Sequence, residues 1–145
     1  MIKQAIIPLA GLGTRLLPLT SVFAKELLPI NGKPGLEYII DECIEAGIKE
    51  IIFIISNKKI MIKNYFNNDA FFKKIIKKKK DKRISNEYKK ILKYKKMIKF
   101  VYQNNPRGTG DAVLKAKKFI KDSYFLMLLP DDLIIKKNCS KAMIS

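Results

Sequence analysis

Glycines, an arginine and a lysine are grouped between residues 9 and 34 in a pattern suited to phosphate binding. This segment reads L-A-G-L-G-T-R-L-L-P-L-T-S-V-F-A-K-E-L-L-P-I-N-G-K-P. Gly11 and Gly13 permit backbone conformations that other residues avoid, and they let a ligand approach main-chain N–H groups. Arg15 offers planar bidentate donors, whereas Lys25 carries a compact point charge. Backbone donors combined with two cations favour a polyphosphate ligand.

The two most familiar phosphate-binding loops do not fit these residues. The dinucleotide fingerprint G-x-G-x-x-G requires glycine where the chain has Leu16, and a Walker loop requires G-K-S/T five residues after its first glycine. What remains is a glycine turn followed by Thr14 and Arg15, with Lys25 further on. Four leucines are expected to hold this long segment in place and keep it ordered: Leu16, Leu17, Leu27 and Leu28.

Four segments together resemble the sugar nucleotidyltransferases, which are nucleotide-sugar pyrophosphorylases. They are G-L-G-T-R-L-L-P, K-E-L-L-P, K-P and L-E-Y-I-I-D-E-C-I-E-A-G-I. The chain is most similar to the bacterial UTP–glucose-1-phosphate uridylyltransferases, and the similarity covers about the N-terminal half of a typical member. The resemblance implies transfer of a uridylyl group from UTP to glucose 1-phosphate, giving UDP-glucose and pyrophosphate.

The resemblance also implies which residues act on the triphosphate. Arg15 and Lys25 would be the catalytic cations that clamp the phosphates and stabilise the departing pyrophosphate. Asp131 would hold Mg²⁺, a hard cation that prefers carboxylate and phosphate oxygens. Asp132 follows it directly, but successive side chains leaving a strand point to opposite sides, so Asp131 alone is expected to bind the metal. Ala24 stands where the family usually has proline.

A second group of residues would hold the nucleoside by resemblance. The side-chain amide of Gln103 would pair with N3–H and O4 of uracil. The nucleotide-binding set is completed by residues of the glycine turn and of the R-G-T-G segment: Ala10, Gly11, Gly13, Thr14 and Gly108. Arg107, Thr109 and Asp111 depart from the uridylyltransferase pattern, so a thymidylyltransferase or another sugar-1-phosphate nucleotidyltransferase remains an alternative.

The chain contains no histidine, which agrees with this chemistry. A phosphate nucleophile is already anionic, so its attack on the α-phosphorus requires no general base, and positioning with charge neutralisation does most of the catalysis. Most hydrolases that depend on a histidine base are correspondingly disfavoured.

Net charge points to a different class of function, the nucleic-acid-binding proteins. The formal charge is +17, and Lys77 to Lys80 form an uninterrupted lysine run. However, the lysines spread from Lys3 to Lys141, and aromatic residues are not interleaved with the run, as base stacking would require. Compositional bias of an A+T-rich genome explains the charge without a nucleic-acid partner, and no specific nucleic acid is expected.

Hydrophobic periodicity predicts one α/β domain over residues 1–145 with a doubly wound, mostly parallel sheet of about four core strands. The resemblance implies that the family's sheet is truncated after these strands. A lysine-rich excursion at about 67–96 is expected to form one or two solvated helices. Helix 34–46 is expected to bury Cys43 and expose Glu37 and Asp41. The predicted strands are 2–9, 50–55, 98–102 and 124–129; the other predicted helices are 59–66, one beginning at Thr109 and one near Asn138.

Localisation and partners follow from the same composition. Cys43 and Cys139 are far apart in sequence, which favours a reducing compartment, and no apolar run approaches the roughly 18 residues of a membrane span. A cytoplasmic protein without a membrane partner is therefore expected. Beyond UTP and glucose 1-phosphate, partners left open are a homo-oligomer and a complementing C-terminal half. A fragment that binds UTP without turnover is the remaining alternative.

Overall fold

The computed structural model describes residues 2–133 and 138–144. In chain order, the strands and helices are β1 (Gln4–Pro8), β2 (Pro29–Ile30), β3 (Lys33–Pro34), α1 (Gly35–Glu45), β4 (Glu50–Ile55), α2 (Ile60–Asn67), α3 (Asp69–Lys79), α4 (Lys82–Met97), β5 (Ile98–Tyr102), α5 (Thr109–Ala116), β6 (Leu126–Met127) and α6 (Cys139–Ile144). Helices connect the strands of the main sheet, as the sequence predicts, and a short hairpin, β2 and β3, lies between β1 and the first helix.

The main sheet has the doubly wound topology that the sequence predicts. Its strand order is β5-β4-β1-β6, and all three pairings are parallel. The chain begins at β1, runs outward to the edge strand β5, and then returns to the opposite side of β1 as β6. The direction of winding therefore reverses at β1, which opens a crevice at the carboxyl ends of the strands.

Helices cover both faces of this sheet because its strands are apolar on both sides. In β4, Ile51, Phe53 and Ile55 face the larger core formed with α1, α2 and α4, whereas Ile52 and Ile54 face the smaller core formed with α5. All five side chains are 0% exposed. At about 1.5–3 kcal/mol for each large apolar side chain, this burial is what holds the strand in the middle of the domain.

The polar side of α1 is only partly solvated, contrary to expectation. Glu37 is only 1% exposed, and its carboxylate accepts a hydrogen bond from the Tyr65 hydroxyl at 2.5 Å and pairs with Lys90 at 2.8 Å. Asp41 accepts a hydrogen bond from the Tyr94 hydroxyl at 2.6 Å. Since Lys90 and Tyr94 belong to α4, the prediction was wrong because the lysine-rich segment folds back over this side of α1.

The lysine-rich segment forms two helices, α3 and α4. Lys77 to Lys80 are exposed, but α4 buries Ile91 and Tyr94, which are 3% and 1% exposed. Asp81 begins α4 by accepting backbone hydrogen bonds from Arg83 and Ile84. The segment is thus solvated along one side and packed against the core along the other.

Three local predictions differ from the structure. The last strand is shorter than residues 124–129, and Tyr124 lies outside it with 74% of its surface exposed. Leu16 and Leu17 are also exposed, at 45% and 58%, because no element among the described residues covers that side of the loop. The short hairpin of β2 and β3 was not predicted, although Asn31 and Gly32 at its turn, both with positive φ, are a strong hairpin signal.

None of the helices in residues 2–133 and 138–144 has the combination of length and apolar character needed to cross a bilayer.

Cys43 lies in the core, as predicted, and this gives a measurable difference between the two thiols. Cys43 is 0% exposed, and burial, with a smaller contribution from Glu42, raises the pKa of its thiol to about 12. Cys139 is partly exposed. Because the thiolate is the reactive form, we expect a thiol reagent at pH 8 to modify Cys139 and to spare Cys43 until guanidinium unfolds the chain. Mass spectrometry of the labelled peptides measures this, and rapid labelling of Cys43 in a folded Cys139→Ser variant would contradict it.

Candidate active site

A cleft opens at the carboxyl ends of the strands, where the doubly wound topology predicts a ligand site. Its cavity volume is about 210 Å³, below the roughly 300–1,000 Å³ of sites that enclose a ligand. The lining residues come from the segments that follow β1, β5 and β6: Pro8, Ala10, Gly11, Lys25, Glu26, Gln103, Pro106, Gly108, Thr109, Leu129, Pro130 and Asp131.

Six of the nine predicted site residues line this cleft, namely Ala10, Gly11, Lys25, Gln103, Gly108 and Asp131. Gly13, Thr14 and Arg15 lie on the adjoining loop, where residues 14 to 16 form a single turn of 3-10 helix. Segments far apart in sequence are therefore brought to one place by the sheet. Their roles stay predictions, but their grouping is a property of the fold.

The two glycines of the loop serve different physical needs. Gly13 has φ +67°, and a Cβ at this position would lie 3.1 Å from Thr20 Cγ2, so a side chain would be strained in both respects. The Gly13 carbonyl accepts hydrogen bonds from the Thr20 hydroxyl at 2.8 Å and from Leu16 N–H at 3.0 Å. Gly11 has no positive φ, contrary to expectation, but the space around it is open. It therefore leaves room beside the cleft.

An ion pair joins two of the charged groups of the cleft, Lys25 and Asp131. Lys25 Nζ lies 3.2 Å from Asp131 Oδ2, and their side chains are 25% and 59% exposed. Burial would raise the pKa of Asp131, but the hydrogen bond and charge of Lys25, with the charge of Arg15, hold it below its usual value. Asp131 is thus ionised at neutral pH and exposed enough to bind a ligand.

Gln103 is buried at the cleft, with 3% of its surface exposed. Its backbone N–H extends the ladder by donating to the Ile55 carbonyl at 2.8 Å. Its side-chain Nε2 donates to Asp111 Oδ2 at 2.5 Å and to the Gly108 carbonyl at 3.4 Å. An ionised carboxylate can only accept hydrogen bonds, so the Gln103 atom that faces Asp111 must be the amide nitrogen. Asp111 therefore determines how the amide is oriented. In the sequence, Asp111 is notable only as a departure from the uridylyltransferase pattern.

The N-terminus of α5 also opens on the cleft. Gly108 precedes it with φ +97°, a value that favours glycine. Thr109, predicted to cap this helix, is its first residue, and no side-chain capping bond forms. The prediction of a helix start was correct, but the chain direction there is set by the glycine rather than by a threonine cap.

A buried ion pair beside the cleft was not predicted from the sequence. Lys59 Nζ donates to Glu26 Oε1 at 2.6 Å, and the side chains are 7% and 1% exposed. Burial lowers the pKa of Lys59, Glu26 opposes this shift, and the nearby charge of Lys25 adds to it. The apolar pattern of the K-E-L-L-P segment gave no indication that its glutamate would be buried.

Metal binding by side chains alone has little support in the part of the chain that is described. No three or more histidine, cysteine or acidic side chains converge there as ligands. Asp131 fits a different kind of site, since Mg²⁺ commonly takes one or two carboxylates and completes its shell with phosphate oxygens and water. An ionised and largely exposed carboxylate at the cleft is suited to that arrangement.

Several solved structures share this fold and part of this sequence. The UTP-bound UGPase from Acinetobacter baumannii superposes with a TM-score of 0.83 at 37% identity, covering 90% of this chain and 46% of that one. A UDP-glucose pyrophosphorylase complexed with UDP-glucose superposes with a TM-score of 0.78 at 30% identity, covering 99% of this chain and 52% of that one.

Sequence comparison agrees with the structural comparison. The chain is 42% identical to UTP–glucose-1-phosphate uridylyltransferase of Mycoplasma pneumoniae over 133 residues and 39% identical to that of Streptococcus pyogenes over 141 residues. The two matches include 92% and 96% of this chain but only 45% of each relative, so the chain spans less than half of their length. The family description "Nucleotidyl transferase" matches residues 4–145. On this evidence, together with the fold and the cleft, the chain belongs to the nucleotidyl transferase family.

Proposed function

We propose that this chain forms the nucleotide-binding half of a UTP–glucose-1-phosphate uridylyltransferase. The observation that carries the proposal is the contact between Lys25 and Asp131, 106 residues apart, in a cleft that also contains Gln103. A nucleoside triphosphate site needs a cation for the phosphates, a carboxylate for the metal ion and a group that hydrogen-bonds the base. Lys25, Asp131 and Gln103 are suited to these three tasks. The similarity to uridylyltransferases selects UTP among the triphosphates.

The triphosphate would lie against the backbone of Ala10 and Gly11, where the open space beside Gly11 admits a phosphate. Lys25 would neutralise its charge from inside the cleft, and Arg15, which is exposed on the adjoining turn, would reach it from outside. Such preorganised charges stabilise negative charge that develops on the departing pyrophosphate. Glucose 1-phosphate attacks as an anion, so neither side chain needs to remove a proton.

Asp131 would hold Mg²⁺ together with phosphate oxygens of the bound nucleotide. The ion, when bound, would supply charge neutralisation on the triphosphate. Lys25 pairs with the same carboxylate, so UTP binding would exchange the carboxylate partner of Lys25 for a phosphate partner. This exchange keeps the ammonium paired throughout.

Base selection would come from Gln103. Its side-chain nitrogen donates to Asp111 and to the Gly108 carbonyl, so its side-chain oxygen would accept N3–H of uracil, and pairing with O4 as well would require the nitrogen to give up its bond to Gly108. The same edge occurs in thymine, so this contact distinguishes uracil from cytosine rather than from thymine. Thymidylyl transfer therefore remains the second candidate. Substrates of this kind are cytoplasmic metabolites, which is consistent with a cytoplasmic location.

Lys25→Met is expected to weaken UTP binding by about 10- to 100-fold, because a charge-assisted hydrogen bond is worth roughly 1.5–3 kcal/mol. Isothermal titration calorimetry with UTP and Mg²⁺ measures the affinity. Arg15→Met should cause a smaller loss, since Arg15 is more exposed. The matched control is Lys3→Met, which removes an exposed lysine outside the cleft. An equal loss in all three variants would indicate nonspecific attraction to a basic chain and would contradict the proposal.

Gln103→Ala is expected to reduce the preference for UTP over CTP by about tenfold, because the matched donor and acceptor are lost. Asp111→Asn should have the same effect in a milder form, since it leaves Gln103 in place but removes the carboxylate that orients it. Competition calorimetry with UTP, CTP and dTTP measures both variants. If wild-type chain binds UTP and CTP equally, Gln103 does not read the base.

We expect the 145-residue chain to bind UTP but to transfer its uridylyl group to glucose 1-phosphate only slowly. The reason is that the groups described in the cleft serve the nucleotide and not the sugar phosphate. Pyrophosphate release from UTP and glucose 1-phosphate, measured beside calorimetry on the same preparation, tests this. UDP-glucose formation by the purified chain at a rate ordinary for enzymes, about 1–1,000 per second, would contradict this expectation. The groups described in the cleft would then be sufficient for the transfer.

A further inference from the structure

The buried pair of Glu26 and Lys59 has no role in the proposed reaction. Two charges are removed from water here, at 2.6 Å from each other. Such a pair contributes little net stability, because desolvation offsets most of its attraction. Glu26 Oε2 has no hydrogen-bond partner among the described residues, so Lys59 carries most of the compensation for this carboxylate.

We infer that Glu26 and Lys59 position the Lys25 ammonium in the cleft. Lys25 and Glu26 are consecutive in one turn of 3-10 helix, residues Lys25–Leu27. Holding the Glu26 side chain on one side of so short a turn determines the direction in which the Lys25 side chain leaves it. This inference rests on the proposed function, in which Lys25 binds the triphosphate, and it assigns Lys59 a positioning role without contact to substrate.

The first turn of α2, directly after Lys59, contacts this turn at a second point. Ala24 N–H, immediately before the turn, donates to Met61 Sδ at 2.9 Å. Lys59 and Met61 are two residues apart, so one short segment holds both the start and the middle of the turn. The turn has no side-chain capping bond of its own, so these two contacts from outside help to hold it in place.

The connection between β4 and α2 reaches the other side of the cleft. Asn57 N–H donates to the Asn104 side-chain oxygen at 3.0 Å, and Ile55, at the end of β4, accepts the Gln103 backbone N–H. Among the described residues that line the cleft, none comes from residues 55–61. The segment therefore fixes the spacing between Lys25 and Gln103 from behind, without entering the site.

Amide hydrogen exchange tests the inference without any nucleotide. The double variant Lys59→Met/Glu26→Gln leaves no unpaired buried charge, so it is expected to fold. Its amides at 27 and 28, which close the turn onto Ala24 and Lys25, should exchange about tenfold faster than in the wild type, while those of β4 stay unchanged. Lys58→Met is the matched control, since Lys58 is exposed on the same 3-10 turn as Lys59. Unchanged exchange at 27 and 28 in the double variant would overturn the inference.

A double-mutant cycle on UTP affinity tests whether the effect passes through Lys25. The double variant should weaken UTP binding about tenfold in the wild-type background and less than about twofold in a Lys25→Met background. Equal losses in both backgrounds would mean a merely structural effect and would contradict the positioning role. If the wild-type chain does not bind UTP, the proposed function fails, and the exchange experiment alone then decides whether the pair orders the turn.

Discussion

Parallel pairing of β1 with strands on both sides determines where the functional groups of this chain lie. Because β4 and β6 both run parallel to β1, every strand of the sheet ends at the same edge. Lys25, Gln103 and Asp131 come from three different connections, yet they meet there without any loop crossing the sheet. A strand reversed in this arrangement would carry one of them to the opposite edge, about 17–20 Å away for strands of ordinary length.

Buried polar groups are concentrated where two elements must meet in one orientation. Glu37 fixes α4 against α1 through Lys90, and Glu26 fixes the Lys25 turn against the segment after β4 through Lys59. In both cases an acidic residue of the N-terminal third pairs with a lysine that is distant in sequence. Directional bonds of this kind specify an arrangement that apolar packing alone would leave adjustable.

Part of the high lysine content has a structural explanation. Lys59, Lys90 and Lys95 pair with buried or half-buried carboxylates of other elements, whereas the run from Lys77 to Lys80 is exposed at the end of α3. The lysines behind the net charge therefore include two groups, one paired with carboxylates of other elements and one exposed to solvent. Neither requires a nucleic acid, although the exposed part would attract polyanions weakly.

The sequence by itself determined the fold class, the order of the main elements and most of the candidate site. Continuous apolar runs such as residues 50–55 identify strands buried on both faces, and the turn residues between them identify the connections. Gly11 and Lys25 were predicted from the glycine turn and the cations beyond the first strand, whereas Gln103 and Asp131 were predicted from the resemblance to the sugar nucleotidyltransferases.

Only the tertiary structure decided which polar residues are buried and which apolar ones are exposed. Glu26 and Glu37 are buried because lysines from distant segments reach them, while Leu16 and Leu17 are exposed because no described element covers them. Periodicity reports a preference of each residue for water or for the core. Whether the residue is actually buried depends on partners tens of residues away, and the local sequence does not show which distant segments will contact it.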